Sequence, residues 1–508
     1  MLTGTSTQKA GRREWIALAV LALPCLVYAM DLTVLNLALP AISSDLRPSS
    51  SQLLWIVDIY GFMVAGALIT MGALGDRVGG RRLLMIGAAA FAGASVLAAF
   101  ATSAVMLIAA RALLGLAGAT IAPSTLSLIR TLFDDPRERT VAIGVWVASY
   151  SLGAAVGPLA GGALLEVAWW GSVFLLAVPV MVALLIVGPR LLPEDRDTGG
   201  GRLDIPSAAL SLIAVLAAVF GLKQFATSGD DVQSAGWVVA GLVLGLLFVR
   251  RQRRLADPLI DLRLFRAPAF SAALATNLAA FFVIFGMSLF LAQYLQSVLG
   301  LSPLVAGLWT VPEALGFIAG STITPRLASR WPAATLIGAG MSVGAAGYLL
   351  VSLTDGGVLP LVAGATIGAI GLAAVVTLTT DIAVGAAPPA RAGAAAAASE
   401  TSSELGGALG LAVLGSIGAA VYRGALPAGV PDGVRETLGG ALASSRRLPG
   451  ASGDQLAGAA RDAFSHALTT TASVSAAVLI ASAGIVFALL RRRARSTSTT
   501  QAMSGAAA

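Results

Sequence analysis

Residues Trp15 to Pro40 read WIALAVLALPCLVYAMDLTVLNLALP. The run from Ile16 to Met30 is almost wholly apolar. Asp31 then stands near the middle of the stretch, and more apolar residues follow it. About 20 apolar residues suffice to cross the hydrocarbon core of a bilayer as a helix. A carboxylate inside such a span costs roughly 2.5–3.5 kcal/mol on insertion scales, so an intramembrane acid marks an ion or substrate path. The other reading of Asp31 is an interfacial acid on a shorter helix.

The rest of the chain has the same character. Of its 508 residues, 57% are hydrophobic and 12% are charged, with mean hydropathy +0.85. Soluble domains carry about 25% charged residues, so a polytopic membrane protein is expected. The net charge of +7 is spread in short basic clusters between apolar runs. That is topology bias, and nucleic acid is not needed to explain it. Cys25 is the single cysteine, which excludes an internal disulfide and a cysteine-built metal site. The single His466 excludes a histidine metal cluster. A P-loop needs Gly-Lys followed by Ser or Thr. The two lysines, Lys9 and Lys223, follow Gln8 and Leu222. No nucleotide is expected, and any pumping must draw on an ion gradient or a separate subunit. Arg12-Arg13 before an apolar run could mimic a signal peptide. The run is too long for one and lacks a clear cleavage site, so it reads as a retained first span.

Fourteen helices of spanning length are expected, near 15–40, 52–74, 83–103, 105–128, 140–166, 169–189, 206–223, 236–250, 268–294, 303–325, 333–354, 357–386, 393–424 and 466–490. Of the 33 basic residues, 25 fall in alternate connections on one side and seven on the other. The positive-inside rule then puts both termini in the cytoplasm of a cell-membrane protein. The polar stretches Pro193 to Pro206 and Arg250 to Pro268 divide the array. The expected organisation is a six-helix bundle over 1–192, then a linker with two inserted helices over 193–267. A second six-helix bundle over 268–490 carries an external loop at 425–465, and 491–508 forms a cytoplasmic tail.

Several intramembrane residues could carry chemistry. Trp55 lies one turn before Asp58 on the same helix face. An aromatic beside a carboxylate suits a lipophilic cation; an interfacial Trp belt with Asp58 near the headgroups explains the pair as well. Arg111 falls inside the fourth span and demands a carboxylate or carbonyl partner, for which Asp31 is the natural candidate; snorkelling toward an interface is the other reading. Glu313 and Asp381 lie in later spans, Asp381 close to the cytoplasmic rim. Glu400 and Glu404 form an i, i+4 pair on one face. Two close carboxylates in low dielectric do not easily both ionise, so one should hold a proton near neutral pH, as a proton-coupled carrier requires. A polar patch near a helix end is the plainer reading of that pair.

The loop Gly72 to Arg82 contains Asp76, Arg77, Gly79, Arg81 and Arg82. Its glycines allow a tight turn, and Asp76 needs a partner such as a helix N-terminus or a neighbouring arginine. In the fifth span, Gly153, Gly157, Pro158, Gly161 and Gly162 build a small-residue face that permits close helix contact, with a proline that bends the helix.

At these motifs the sequence resembles the major facilitator superfamily, specifically its fourteen-span drug:proton antiporters, which export quaternary ammonium compounds and other lipophilic cations. The resemblance runs end to end. Gly72 to Arg82 looks like the cytoplasmic signature loop, with Gly80 where a basic residue is usual. Arg111 with Gly115 and Gly118 looks like the fourth-helix motif, and Gly153 to Gly162 like the antiporter motif. Asp31, Thr33, Asn36 and Ala38-Leu39-Pro40 look like the first-helix motif. Leu54 to Asp58, Ser399-Glu400 and Glu404-Leu405-Gly406 are similar to segments of the quaternary-ammonium exporters. Glu313 is not part of the family pattern.

The resemblance implies an all-α membrane fold of two six-helix bundles related by pseudo-symmetry, plus two inserted helices, working by alternating access at a midplane site. Asp31, Asp58, Glu313, Asp381, Glu400 and Glu404 are the candidate proton-coupling and cation-binding residues, with Arg111 as their charge partner. Asp76 would belong to the cytoplasmic gate. Tyr28, Trp55, Tyr60, Trp146, Tyr150, Phe285 and Trp309 are candidate aromatic lining, although core packing explains most of them equally. No cofactor is expected beyond the proton as coupling ion. The expected partners are lipophilic cations and the bilayer, with the protein acting as a monomer. An exporter of an endogenous antibiotic or metabolite is the alternative. A membrane enzyme, the reading from another class, would need a metal-diphosphate acid cluster or a nucleophile-base pair, for which Asp134-Asp135, in a loop with arginines on either side, is the nearest candidate.

Overall fold

The computed structural model describes residues 9–48, 50–193, 204–227, 231–255, 258–353, 357–388, 391–427, 437–448 and 451–505. The helices are α1 (Arg12–Leu46), α2 (Ser50–Val78), α3 (Gly80–Ala99), α4 (Ala104–Gly118), α5 (Ile121–Leu132) and α6 (Pro136–Val167). They continue with α7 (Ser172–Leu175), α8 (Ala177–Leu191), α9 (Ile205–Thr227), α10 (Asp231–Gln252) and α11 (Pro268–Gln293). The remainder are α12 (Pro303–Ala328), α13 (Ala333–Ser352), α14 (Val358–Ala386), α15 (Ala392–Ala425), α16 (Leu438–Ser445) and α17 (Ala451–Gly505). Among the described residues, 13 helical stretches are long and apolar enough to cross a membrane. The fourteenth expected span corresponds to α12, 26 residues long, which carries Glu313 and two internal prolines.

Four boundaries differ from the sequence expectation. The signature loop at 72–82 is almost entirely helical, with Gly79 alone separating α2 from α3 at φ 95°. Only glycine adopts that conformation without strain, so one residue makes the whole turn. The fourth span is two helices, α4 and α5, parted at Ala119–Thr120. Pro123 lacks the N–H that would bond the Ala119 carbonyl, which favours a break there. The external loop expected at 425–465 carries α16 and the first turns of α17, whose helix also runs on through most of the expected tail to Gly505. α6 continues through position 158 as one helix, and the Pro158 side chain lies outside the described residues, as does most of the linker, 194–203.

Helix starts are capped by short polar side chains. Ser103 accepts from the Met106 N–H, Asp135 from the Arg137 N–H ahead of Pro136, and Ser302 from the Val305 N–H. These acceptors satisfy donors that lipid cannot.

The chain packs as two compact units, one of 1–278 with 379–412, the other of 279–378 with 413–508. In the first unit, α9 and α10 form a hairpin pinned at one end by Arg251, which donates from Nε and Nη2 to the two carboxylate oxygens of Asp204, each at 2.9 Å. That hydrogen-bonded guanidinium holds the Asp204 carboxyl below its usual range. α9 leans on α2, where Phe220 stacks on Trp55 with ring centroids 6.2 Å apart and planes 9° from parallel. α10 leaves Leu242, Leu246 and Val239 exposed, surface suited to lipid. In the second unit, α13 packs against α17, with Gly338 beneath Phe487.

α6 also lies in close contact with α1. A Cβ on Gly153 would sit 2.1 Å from the Leu26 carbonyl oxygen, and one on Gly157 2.3 Å from Thr33 Oγ1. On Gly161 it would meet Val34 Cγ2 at 2.2 Å. The glycine face therefore clasps the turns on both sides of Asp31. Gly153→Ala is expected to destabilise the protein by about 1–3 kcal/mol, the range for overpacking. Gly93→Ala, at a position with no atom within 4 Å, should be neutral or slightly stabilising. Thermal unfolding in detergent checks both.

Candidate functional site

Asp31 is 5% exposed and Arg111 1% exposed. Arg111 Nη1 donates to Asp31 Oδ2 at 2.6 Å, and its Nε donates to the Ile56 carbonyl at 3.2 Å. The guanidinium carbon lies 4.7 Å from the Tyr60 ring centroid. The cation thus has a carboxylate, a carbonyl and a ring face, which replace the water it lacks. Small residues make this reachable: a Cβ on Gly115 would lie 2.4 Å from the Tyr60 carbonyl oxygen, so α4 rides directly on α2.

Around that pair stands a group of aromatic rings. Tyr28 meets Tyr60 at 5.8 Å and Tyr150 at 5.6 Å between centroids. Trp146 packs on Tyr150 at 4.7 Å and donates from Nε1 to Thr125 Oγ1 at 2.9 Å. The Tyr60 hydroxyl is buried with no hydrogen-bond partner among the described residues. Glu400 and Glu404 are both half-buried on α15. Both lie within electrostatic reach of Tyr28, Glu404 within reach of Tyr60, and Glu400 within reach of Tyr150. Asp31, Glu400, Glu404 and Arg111 are therefore brought together around Tyr28, Tyr60 and Tyr150, all within the first compact unit.

The other acids go elsewhere. Asp76, in the last turn of α2, accepts the Gly393 N–H at 2.8 Å and the Ala394 N–H at 2.9 Å. It sits on the N-terminus of α15, where backbone donors and the helix dipole favour a negative charge. Gly72 allows the contact, since a Cβ there would meet the Gly393 carbonyl oxygen at 2.5 Å. Asp381 accepts from Arg139 Nε and from the Thr140 hydroxyl, each at 2.8 Å. Arg130 reaches the Gly385 carbonyl at 3.5 Å from the same side. Arg81 donates to the Pro189 and Leu192 carbonyls at the end of α8, Arg77 to the Ala73 carbonyl, and Arg82 is exposed. Asp58 is half-buried on α2, while its neighbour Trp55 packs on Phe62 and Phe220. Glu313 belongs to the second unit and faces Tyr348 of α13 electrostatically. Phe285, 48% exposed, touches Phe281, and Trp309 is half-buried on α12.

One polar group escaped the sequence reading. Asn277 of α11 is 1% exposed and bonds Ser399, Ser402 and Ser403 of α15. The serine spacing of i, i+3, i+4 was the available signal, since it lines one helix face.

The family model for the Major Facilitator Superfamily matches residues 21–411. The chain belongs to the major facilitator superfamily. It is similar to the multidrug efflux pump LfrA of Mycolicibacterium smegmatis, with 44% identity over 96% of this chain and 98% of that protein. It is also similar to the methyl viologen resistance protein SmvA of Salmonella typhimurium, with 36% identity over 95% of this chain and 100% of that protein. Among solved structures, the human organic anion transporter MFSD10 (TETRAN) matches with TM-score 0.61 at 16% identity, covering 92% of this chain and 99% of that one. That likeness concerns the fold. The protein is thus a multi-pass membrane protein of a transporter family.

Removing one partner of the Asp31–Arg111 pair strands a charge away from water. Arg111→Leu is expected to cost about 3–5 kcal/mol, and Asp31→Asn with Arg111→Leu less than the sum of the two single changes. Thermal unfolding of the purified variants measures the coupling.

Proposed function

We propose that the protein exports lipophilic organic cations across the cell membrane in exchange for protons. The observation that carries this reading is the gathering of Asp31, Glu400 and Glu404 around Tyr28, Tyr60 and Tyr150, with Arg111 already neutralising Asp31. Glu400 and Glu404 bring two further carboxylates that a proton or a cation can engage. Ring faces beside them suit a flat or quaternary cation through quadrupole attraction. The relatives add to this: one is named a multidrug efflux pump, the other for resistance to methyl viologen, a dication.

In the proposed cycle, acids open to the cytoplasm lose protons and take up the cationic drug. Acids open to the outside regain protons and release it. Proton and drug compete for the same carboxylates, which couples their opposite movements. The arginine bias puts both termini in the cytoplasm. On that topology Asp76 with the α15 N-terminus, and Arg139 with Asp381, form a latch at the cytoplasmic end. Its breaking would accompany opening to that side. The working unit is a single chain.

Ethidium efflux from everted vesicles with an imposed pH gradient tests the reading. Wild-type efflux should collapse when an uncoupler is added. Glu400→Gln and Glu404→Gln should each lower it about tenfold or more, equivalent to ~1.4 kcal/mol. Efflux indifferent to the uncoupler would remove proton coupling. Wild-type efflux in both glutamine variants would remove the two acids from the mechanism.

A further inference from the structure

We infer that Asn277 is a positioning residue for the Glu400–Glu404 pair, holding α15 at the rotation that turns both acids toward the tyrosines. The inference rests on the proposed role of those acids.

Asn277 lies inside an apolar helix and is 1% exposed, so its amide must find partners within the protein. Its Nδ2 donates toward Ser403 Oγ at 2.7 Å, Ser402 Oγ at 3.1 Å and the Ser399 carbonyl at 3.2 Å. Its Oδ1 accepts from the Thr379 hydroxyl of α14 at 3.3 Å. The Ser402 and Ser403 hydroxyls in turn donate to the Ser399 carbonyl, at 2.7 and 3.2 Å. One turn of α15 is thereby tied to α11 and α14 through a single side chain. The next turn is fixed sterically, because a Cβ on Gly406 would sit 2.4 Å from the Leu278 carbonyl oxygen.

Helical geometry connects this anchor to the acids. Each residue advances about 100° around the axis. Ser399, Ser402, Ser403 and Gly406 therefore share one face, while Glu400 and Glu404 lie on the neighbouring face, about 100–140° away. Release of the anchored face frees the acids to swing away from the rings.

The ionisable groups within electrostatic reach of the two acids include Tyr28, Tyr60, Tyr150 and Cys25, from α1, α2 and α6, and the acids reach each other. From α11 and α14 come the neutral Asn277 and Thr379, since Asp381 is held by Arg139. α9 brings apolar side chains against Leu405 and Ala408. Each acid's affinity for a proton depends on its distances to the other and to these groups, and rotation changes them all. A clamp that served stability alone would leave that affinity unchanged.

The test is ethidium efflux from everted vesicles across a pH series, on variants that remain monodisperse in detergent. Asn277→Leu removes the clamp. Ser402→Ala with Ser403→Ala removes only its two hydroxyl acceptors, which covers the case in which the leucine variant fails to fold. Both should move the pH midpoint of efflux in the same direction by about half a unit to one unit. The two sets combined should move it no further, because they break one connection. Folded clamp variants with the wild-type midpoint would overturn the inference, provided Glu400→Gln or Glu404→Gln changes efflux. A combined shift equal to the sum would overturn it too. If neither glutamine variant changes efflux, the role proposed for the acids fails, and the inference falls with it.

Discussion

A guanidinium buried within an apolar helix bundle governs this structure. Arg111 is 1% exposed inside a spanning helix, so its charge must be met by protein groups. Asp31, the Ile56 carbonyl and the Tyr60 ring meet that demand from two other helices. Once they do, α1, α2 and α4 are fixed relative to one another at that depth. The glycines follow from the same requirement. Gly115 lets α4 approach α2, and the α6 glycines seat α1 so that Asp31 keeps its position. In lipid there is little hydrophobic drive between helices, so close backbone contact and buried polar bonds carry the association.

The pairing also sorts the remaining acids by role. Carboxylates at the arginine-rich end are held: Asp76 by two backbone N–H groups, Asp381 by Arg139 and Thr140. Such bonds tie α15 to α2 and α14 to α6. Glu400 and Glu404 lie deeper, beside aromatic rings. Their electrostatic neighbours include tyrosine hydroxyls and a thiol. The clamp from Asn277 links their orientation to α11 and α14.

Much of this was legible in the chain. Apolar runs of spanning length cannot rest in water, and a carboxylate within one of them cannot rest in lipid unpaired. Those two facts gave the membrane fold, the set of intramembrane acids and Asp31 as the partner of Arg111. Glycine at every fourth position of the fifth span announced a close helix contact, and the lone Asp76 among arginines announced a helix terminus or cation. Helix ends were less legible. The signature loop shrank to Gly79, and the expected external loop contains α16 and the start of α17. Local composition there was polar and small, which fits either a loop or an amphipathic helix until packing decides.

Composition and spacing by themselves determined that the protein lies in a membrane, that it has no P-loop of its own, and which side chains carry charge where charge is costly. Tertiary structure alone decided which of those charges pair with one another and which partners hold them. Trp55 went to Phe220, Asp381 to Arg139, and the serines of α15 to Asn277, a residue that one-dimensional spacing had passed over. The physical reason is distance: a buried charge or amide is defined by what lies within about 3 Å of it. In a bundle those partners come from helices far away in sequence, as Thr140 and Asp381 do, 241 residues apart.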